Sequence, residues 1–178
     1  MINNELQKQL VANAAAFDSR DLRQALSAFG TGVTVVTTLD ADARPVGVTA
    51  NSFNSVSLEP PIVLWSLRKA SPSLPAFDTC GRFVIHVLTL DQMPLSQRFA
   101  SPVPEKFRGV AHAPGGHGLP VLEGCAAVFE CQTEQRHEVG DHILYLGRVQ
   151  AYQHRPSAGL LFCQGRYAQG VSLAQSAA

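Results

Sequence analysis

The chain predicts a mainly β fold, an antiparallel barrel with two or three short helices packed outside it. Two observations lead there. Short runs of β-branched and apolar residues dominate from about residue 33 onward, and several follow one another through turns instead of helices. The same pattern argues against an alternating α/β sheet of dinucleotide-binding type. At 178 residues the expectation is one domain. A domain of this size buries roughly 70% of the surface its unfolded chain exposes and needs no metal or disulfide staple. Residues 1–17 are set aside as an N-terminal extension, 18–170 as the folded domain and 171–178 as a tail.

Within that domain the elements follow in order. The first 16 residues are polar and Ala-rich and suit a loose helix. Asp18 and Ser19 are caps for a better helix, and Asp21 in its first turn suits the helix dipole. Leu22, Ala25, Leu26 and Phe29 make one apolar stripe, and Gly30 ends it. Residues 33–39 read as a strand, 40–45 as a turn and 46–50 as a second strand. Residues 62–67 follow Pro60 and Pro61 as a buried strand. A short helix is expected over 73–79, stopped by Gly81, then a strand over 83–88. Residues 91–99 read as a helix capped by Asp91, and 101–120, rich in Pro and Gly, as an irregular surface loop. Two longer strands, 125–136 and 142–152, flank a hairpin turn at His137–Asp141, and 160–163 is a last short strand.

Charge and cysteine content narrow the function classes. The 14 basic and 14 acidic residues balance, so nothing favours nucleic acid or an anionic membrane as partner. No apolar stretch approaches the ~20 residues of a membrane helix, and no N-terminal segment has the pattern of a secretory signal. Cys80, Cys125, Cys131 and Cys163 form no Cys-x-x-Cys pair and no zinc-like spacing with His. They read as free thiols, which suits a cytoplasmic protein without a metal site.

Three segments hold the chemistry. Residues 49–57, Thr-Ala-Asn-Ser-Phe-Asn-Ser-Val-Ser, leave a good strand and fill with hydroxyls and amides but no charge. Such groups suit a flat hydrogen-bonding ring and a phosphate. On pattern alone a polar loop with Asx and Ser turns is the favoured account of them. Residues 66–73 place Arg68, Lys69 and three serines before a helix start, which suits a phosphate or a solvated cap. Gly140-Asp141-His142 opens a strand and is a hairpin turn on its face. No Gly-x-Ser-x-Gly, P-loop or Gly-x-Gly-x-x-Gly is present, and Gly115–Gly118 lacks the strand–turn–helix context of a dinucleotide fingerprint.

Six blocks in series then resemble a known family. They are FGTGVTVVTT (29–38), VTANSFNSVSLEPP (48–61), RFVIHVL (82–88), LSQRFA (95–100), GDHILYLGRV (140–149) and LLFCQGRY (160–167). Together they are similar to the flavin reductases of the FMN-binding split-barrel type, the reductase components of two-component flavin monooxygenases. The resemblance covers about residues 20–168 and implies a homodimer of Greek-key split barrels with flavin near the dimer interface. It implies NADH or NADPH as hydride donor, FMN or FAD as acceptor, and a partner monooxygenase that receives the reduced flavin.

Residue by residue, Val48, Thr49, Ala50, Asn51, Ser52, Asn54 and Ser55 match the stretch along the isoalloxazine and ribityl chain. Lys69, Ser71 and Ser73 match the phosphate-side loop. Phe99 and Ala100 match a flavin-contacting pair, Lys106 a basic contact, His142 the nicotinamide-facing histidine and Tyr167 an aromatic at the same cleft. No catalytic acid or base is implied, because the cofactors carry the hydride chemistry. His86 stands where the family commonly has Asn, and its role stays open. A non-catalytic flavin-binding redox protein and a same-fold reductase with another acceptor are the alternatives.

Overall fold

The computed structural model describes residues 18–171. The extension over 1–17, its expected helix, and the tail from 172 lie outside the described residues. The first described element is α1 (Ser19–Leu26). Asp18 caps it, accepting from Arg20 N at 2.8 Å, but none of its residues is buried. The strands follow: β1 (Thr31–Gly32), β2 (Thr34–Leu39), β3 (Pro45–Ala50), β4 (Asn54–Leu58) and β5 (Pro61–Arg68). Helix α2 (Leu74–Cys80) ends at Gly81, whose φ of 64° is the left-handed conformation a Cβ disfavours. Next come β6 (Arg82–Val87), a 3₁₀ turn at Leu90–Gln92 and α3 (Met93–Ala100). The chain finishes with β7 (His112–Pro114), β8 (Pro120–Leu122), β9 (Ala127–Val139), β10 (His142–His154), β11 (Leu160–Cys163) and β12 (Arg166–Gln169).

Seven strands form one antiparallel sheet in the order β3-β2-β6-β9-β10-β5-β4. It curls until β3 approaches β5, so the barrel is nearly closed but keeps a seam. Period-2 alternation divides the side chains between two cores. Val36, Phe83 and Ile85 point inside the barrel with Trp65, Phe77 and Tyr145. Trp65 stacks on Tyr145 with centroids 5.0 Å apart and meets Phe77 edge-on at 4.9 Å. Val35 and Val84 point the other way, into a second core with Phe99, Leu119, Leu122, Val128 and Leu160. That outer core is covered by α3, the hairpin β7–β8 and a small sheet of order β1-β11-β12.

Helix α2 is stapled to the barrel by Asp78. Its carboxylate accepts from Arg136 Nε and Nη2 at 2.8 and 3.0 Å and from the Tyr145 hydroxyl at 2.6 Å. Burial pushes the Asp78 carboxyl up, but the hydrogen bonds from Arg136 and Tyr145 outweigh it and hold the group below its usual range.

The fold departs from expectation at five places. Residues 54–58, expected to stay irregular, form the end strand β4; its Asn and Ser content hid it, because such residues are uncommon in strands. Residues 112–122 fold into the hairpin β7–β8, which takes up the second half of the expected loop 101–120 and runs two residues past it. Thr89, not Asp91, caps the turn before α3, with Gln92 closing a capping box. Turn and strand signals at 137–139 resolve in favour of strand, leaving Gly140 and Asp141 as the turn between β9 and β10. Short β1 and β12 carry no period long enough to read.

His86 is a wholly buried neutral clamp. Its Nε2 accepts from Leu122 N at 3.0 Å, which leaves Nδ1–H to donate to the Val35 carbonyl at 3.0 Å. It ties hairpin β7–β8 to the barrel, and it does not line the cavity described next.

Candidate flavin and nicotinamide site

The seam opens into a cavity of about 940 Å³, within the range of cofactor sites. All six residues of β3 line it, as do Asn51 and Ser52, the end of β5, the start of α2, the end of α3, residues 101–104, Lys106, Phe107 and His142. Because β3 ends the sheet, its outer main-chain edge borders this space. Ser52 carries the ladder across the seam with its side chain: Oγ donates to Ser66 O at 3.2 Å and accepts from Ser66 N at 2.9 Å.

The resemblance singled out fifteen positions, and the cavity gathers eleven of them. Val48, Thr49, Ala50, Asn51, Ser52, Ser71, Ser73, Phe99, Ala100, Lys106 and His142 line it. Four do not. Asn54 and Ser55 lie exposed on β4, where the Asn54 carboxamide accepts from Ser55 N at 2.9 Å. The Lys69 ammonium pairs with Glu138 at 2.5 Å. Tyr167 sits behind α3, with its hydroxyl 2.9 Å from Ser96 Oγ. Placement on the end strand β4, the pull of Glu138 on Lys69 and the thickness of α3 in front of Tyr167, none visible in residue type, separate these four from their neighbours.

Gly47, Arg68 and Phe107, outside those fifteen positions, also shape the cavity. Gly47 lets α3 approach β3: a Cβ there would meet the Phe99 ring at 2.5 Å. A glycine between two valines in a strand was the available signal. Arg68 and Phe107 line the cavity as well.

Charge is distributed at the two ends. Arg68 stands beside Ser71, whose N–H donates to the Arg68 carbonyl at 2.9 Å, while Lys106 stands at the end of α3. Lys106 Nζ donates to Phe99 O at 2.7 Å and Gly47 O at 3.2 Å, and burial pushes its ammonium pKa below the usual value. His142 Nδ1 lies 2.8 Å from Asp141 Oδ1, and the hydrogen bond from His142 holds the Asp141 carboxyl below its usual range. One lining residue, Asp40, is acidic. Uncharged donors along a main-chain edge, with cations at both ends, fit a polar ring system carrying phosphate.

The family described as flavin reductase like domain matches residues 26–170. The chain belongs to this family. This flavin-reductase-like domain is 45% identical over 154 residues to a protein of Rhizobium meliloti (strain 1021) described as a probable flavin reductase, covering 86% of the chain and 50% of that relative. It is 44% identical over 150 residues to FMN reductase (NADH) SmoA of Agrobacterium fabrum, covering 84% and 85%. The solved structure of the Streptomyces globisporus C-1027 NADH:FAD oxidoreductase SgcE6, in complex with NAD and FAD fragments, superposes with a TM-score of 0.83. It is 35% identical and covers 89% of this chain and 96% of that one. The chain thus spans half the length of the Rhizobium relative and most of the other two. The fold is the split barrel of these reductases. Among the described residues, no group of three or more His, Cys, Asp or Glu is placed to hold a metal, and no helix is long and apolar enough to cross a membrane.

Proposed function

We propose that this chain is an NAD(P)H:flavin oxidoreductase that passes hydride from NADH or NADPH to FMN or FAD and hands the reduced flavin to a flavin-dependent monooxygenase. The cavity along the free edge of β3 carries the reading, because it combines uncharged donors, apolar walls and cationic ends. The relatives' activities support it, as do the monooxygenase reductase subunits among them. Free cysteines and the lack of a membrane helix among the described residues are compatible with a cytoplasmic setting. The uncovered stripe on α1 and the exposed Tyr152 suit a homodimer.

Bound flavin supplies the electron-accepting ring, and the protein's part is to hold two flat cofactors at reacting distance. In this reading β3 and residues 51–52 meet the ring edge, and Ser71 and Ser73 meet phosphate. Lys106 adds positive charge beside the Phe99 and Gly47 carbonyls that fix it. His142 meets the nicotinamide. No side chain has to move a proton in the hydride step.

Mixing protein, NADH and free FMN and following nicotinamide absorbance tests the reading. Oxidation of NADH that depends on flavin is expected, and varying the flavin, nicotinamide and final acceptor defines the substrates. Flavin binding without turnover would leave a redox carrier, and turnover confined to another acceptor a different reductase. His142→Ala is expected to raise the KM for NADH several-fold and leave oxidised-flavin affinity within about twofold; the reverse pattern would exchange the two cofactor positions.

A further inference from the structure

β3 has a strand neighbour on one side and the cavity on the other, so something besides the sheet must fix its position. Helix α3 does so through three contacts. The Thr49 hydroxyl donates to Ser96 O at 2.6 Å. The Phe99 ring packs where Gly47 lacks a Cβ. Lys106 clamps the Phe99 and Gly47 carbonyls together.

The helix in turn depends on a side chain far along the chain. Ser96 is 0% exposed, and its hydroxyl meets Tyr167 Oη at 2.9 Å. A serine inside a helix readily turns its hydroxyl back to the carbonyl four residues earlier, which bends the helix. Tyr167 offers the alternative partner. Its ring is held edge-on to Phe162, centroids 5.5 Å apart, in the sheet β1-β11-β12.

We infer that Tyr167 and Ser96 are positioning residues for the flavin cavity: a hydroxyl tie from β12 to α3 sets the seat of Thr49 and Phe99, and through them the edge of β3 that meets the ring. This rests on the proposed flavin reductase function. It gives Tyr167 a role that requires no contact with flavin from behind the helix.

A double-mutant cycle on the full chain tests the tie, with flavin Kd, flavin KM, NADH KM and Tm measured for each protein. Tyr167→Phe keeps the ring and removes the hydroxyl; Ser96→Ala is the small partner change, and serves if the first variant folds poorly. Each is expected to weaken FMN binding three- to tenfold, raise flavin KM in parallel and leave NADH KM within twofold. The double variant is expected to be no weaker than the worse single one. Thr49→Val should reproduce the flavin effect and Thr49→Ser should restore wild-type affinity, since the serine keeps the hydroxyl that meets Ser96 O. Unchanged flavin Kd with a lowered Tm would make the tie a packing feature and overturn the inference, as would additive effects on flavin Kd. A wild-type protein that neither binds nor reduces flavin would overturn the parent reading and the tie's role together.

Discussion

His86 shows how one side chain sets a pH limit on this fold. Both ring nitrogens are committed in opposite roles, so a proton on Nε2 would point at the Leu122 N–H that it now accepts. Burial drives the pKa from 6.5 down to about 4, opposed by the Val35 carbonyl. A base with a depressed folded pKa binds its proton more readily in the unfolded chain. The stability of the neutral form is therefore complete above pH 6.5 and drains away as pH falls toward 4, by about 3 kcal/mol over that window. Chemical denaturation across pH 4–7 is expected to show this slope in wild type and to lose it in His86→Asn. An equal slope in both proteins would place the acid sensitivity elsewhere. Nothing in the local pattern of residues 82–88 distinguishes such a clamp from a ligand, because its partners come from β2 and β8.

Helix α2 places Pro75 and Ala76 on the cavity wall, so what docks the helix also shapes the site. Tyr145 supplies a hydroxyl to Asp78 from inside the barrel while its ring stacks on Trp65. Tyr145→Phe keeps the stack and removes one hydrogen bond to a charged group, with an expected loss of about 1–2 kcal/mol in urea denaturation. A loss below a few tenths would mean that Arg136 alone holds the helix. This element was legible in residue order, with its Ser73 start and Gly81 stop. So were β2, β3, β5, β6 and the β9–β10 hairpin, each a run of β-branched and apolar residues bounded by turn signals. β4 was not, because Asn54, Ser55 and Ser57 look like a turn until β5 pairs with them. The site divided in the same way. The contiguous run 48–52 lines the cavity as one piece, the end of β3 and the two residues after it, whereas Tyr167 and Lys69 needed the third dimension to show what stands between them and the cavity.

At the scale of the molecule, the face made by α1 and Phe29 is the least explained surface among the described residues. Leu22 is 43% exposed, Leu26 66% and Phe29 75%, although their spacing is that of a buried stripe. A second copy covering this face fits the proposed homodimer. Light scattering is expected to report twice the chain mass of 19.1 kDa, and Leu26→Glu to shift it toward one chain. A single-chain mass for wild type at micromolar concentration would sink the dimer. The seam has its own cost in solution. A strand edge left open is a template for other strands, and the short uncharged side chains of Asn51 and Ser52 do little to repel them. A flat ring laid along β3 would shield that edge, so flavin would act as a chaperone of its own reductase. Turbidity on slow heating is expected to set in later with saturating FMN than without it, and an onset indifferent to FMN would leave the open edge harmless.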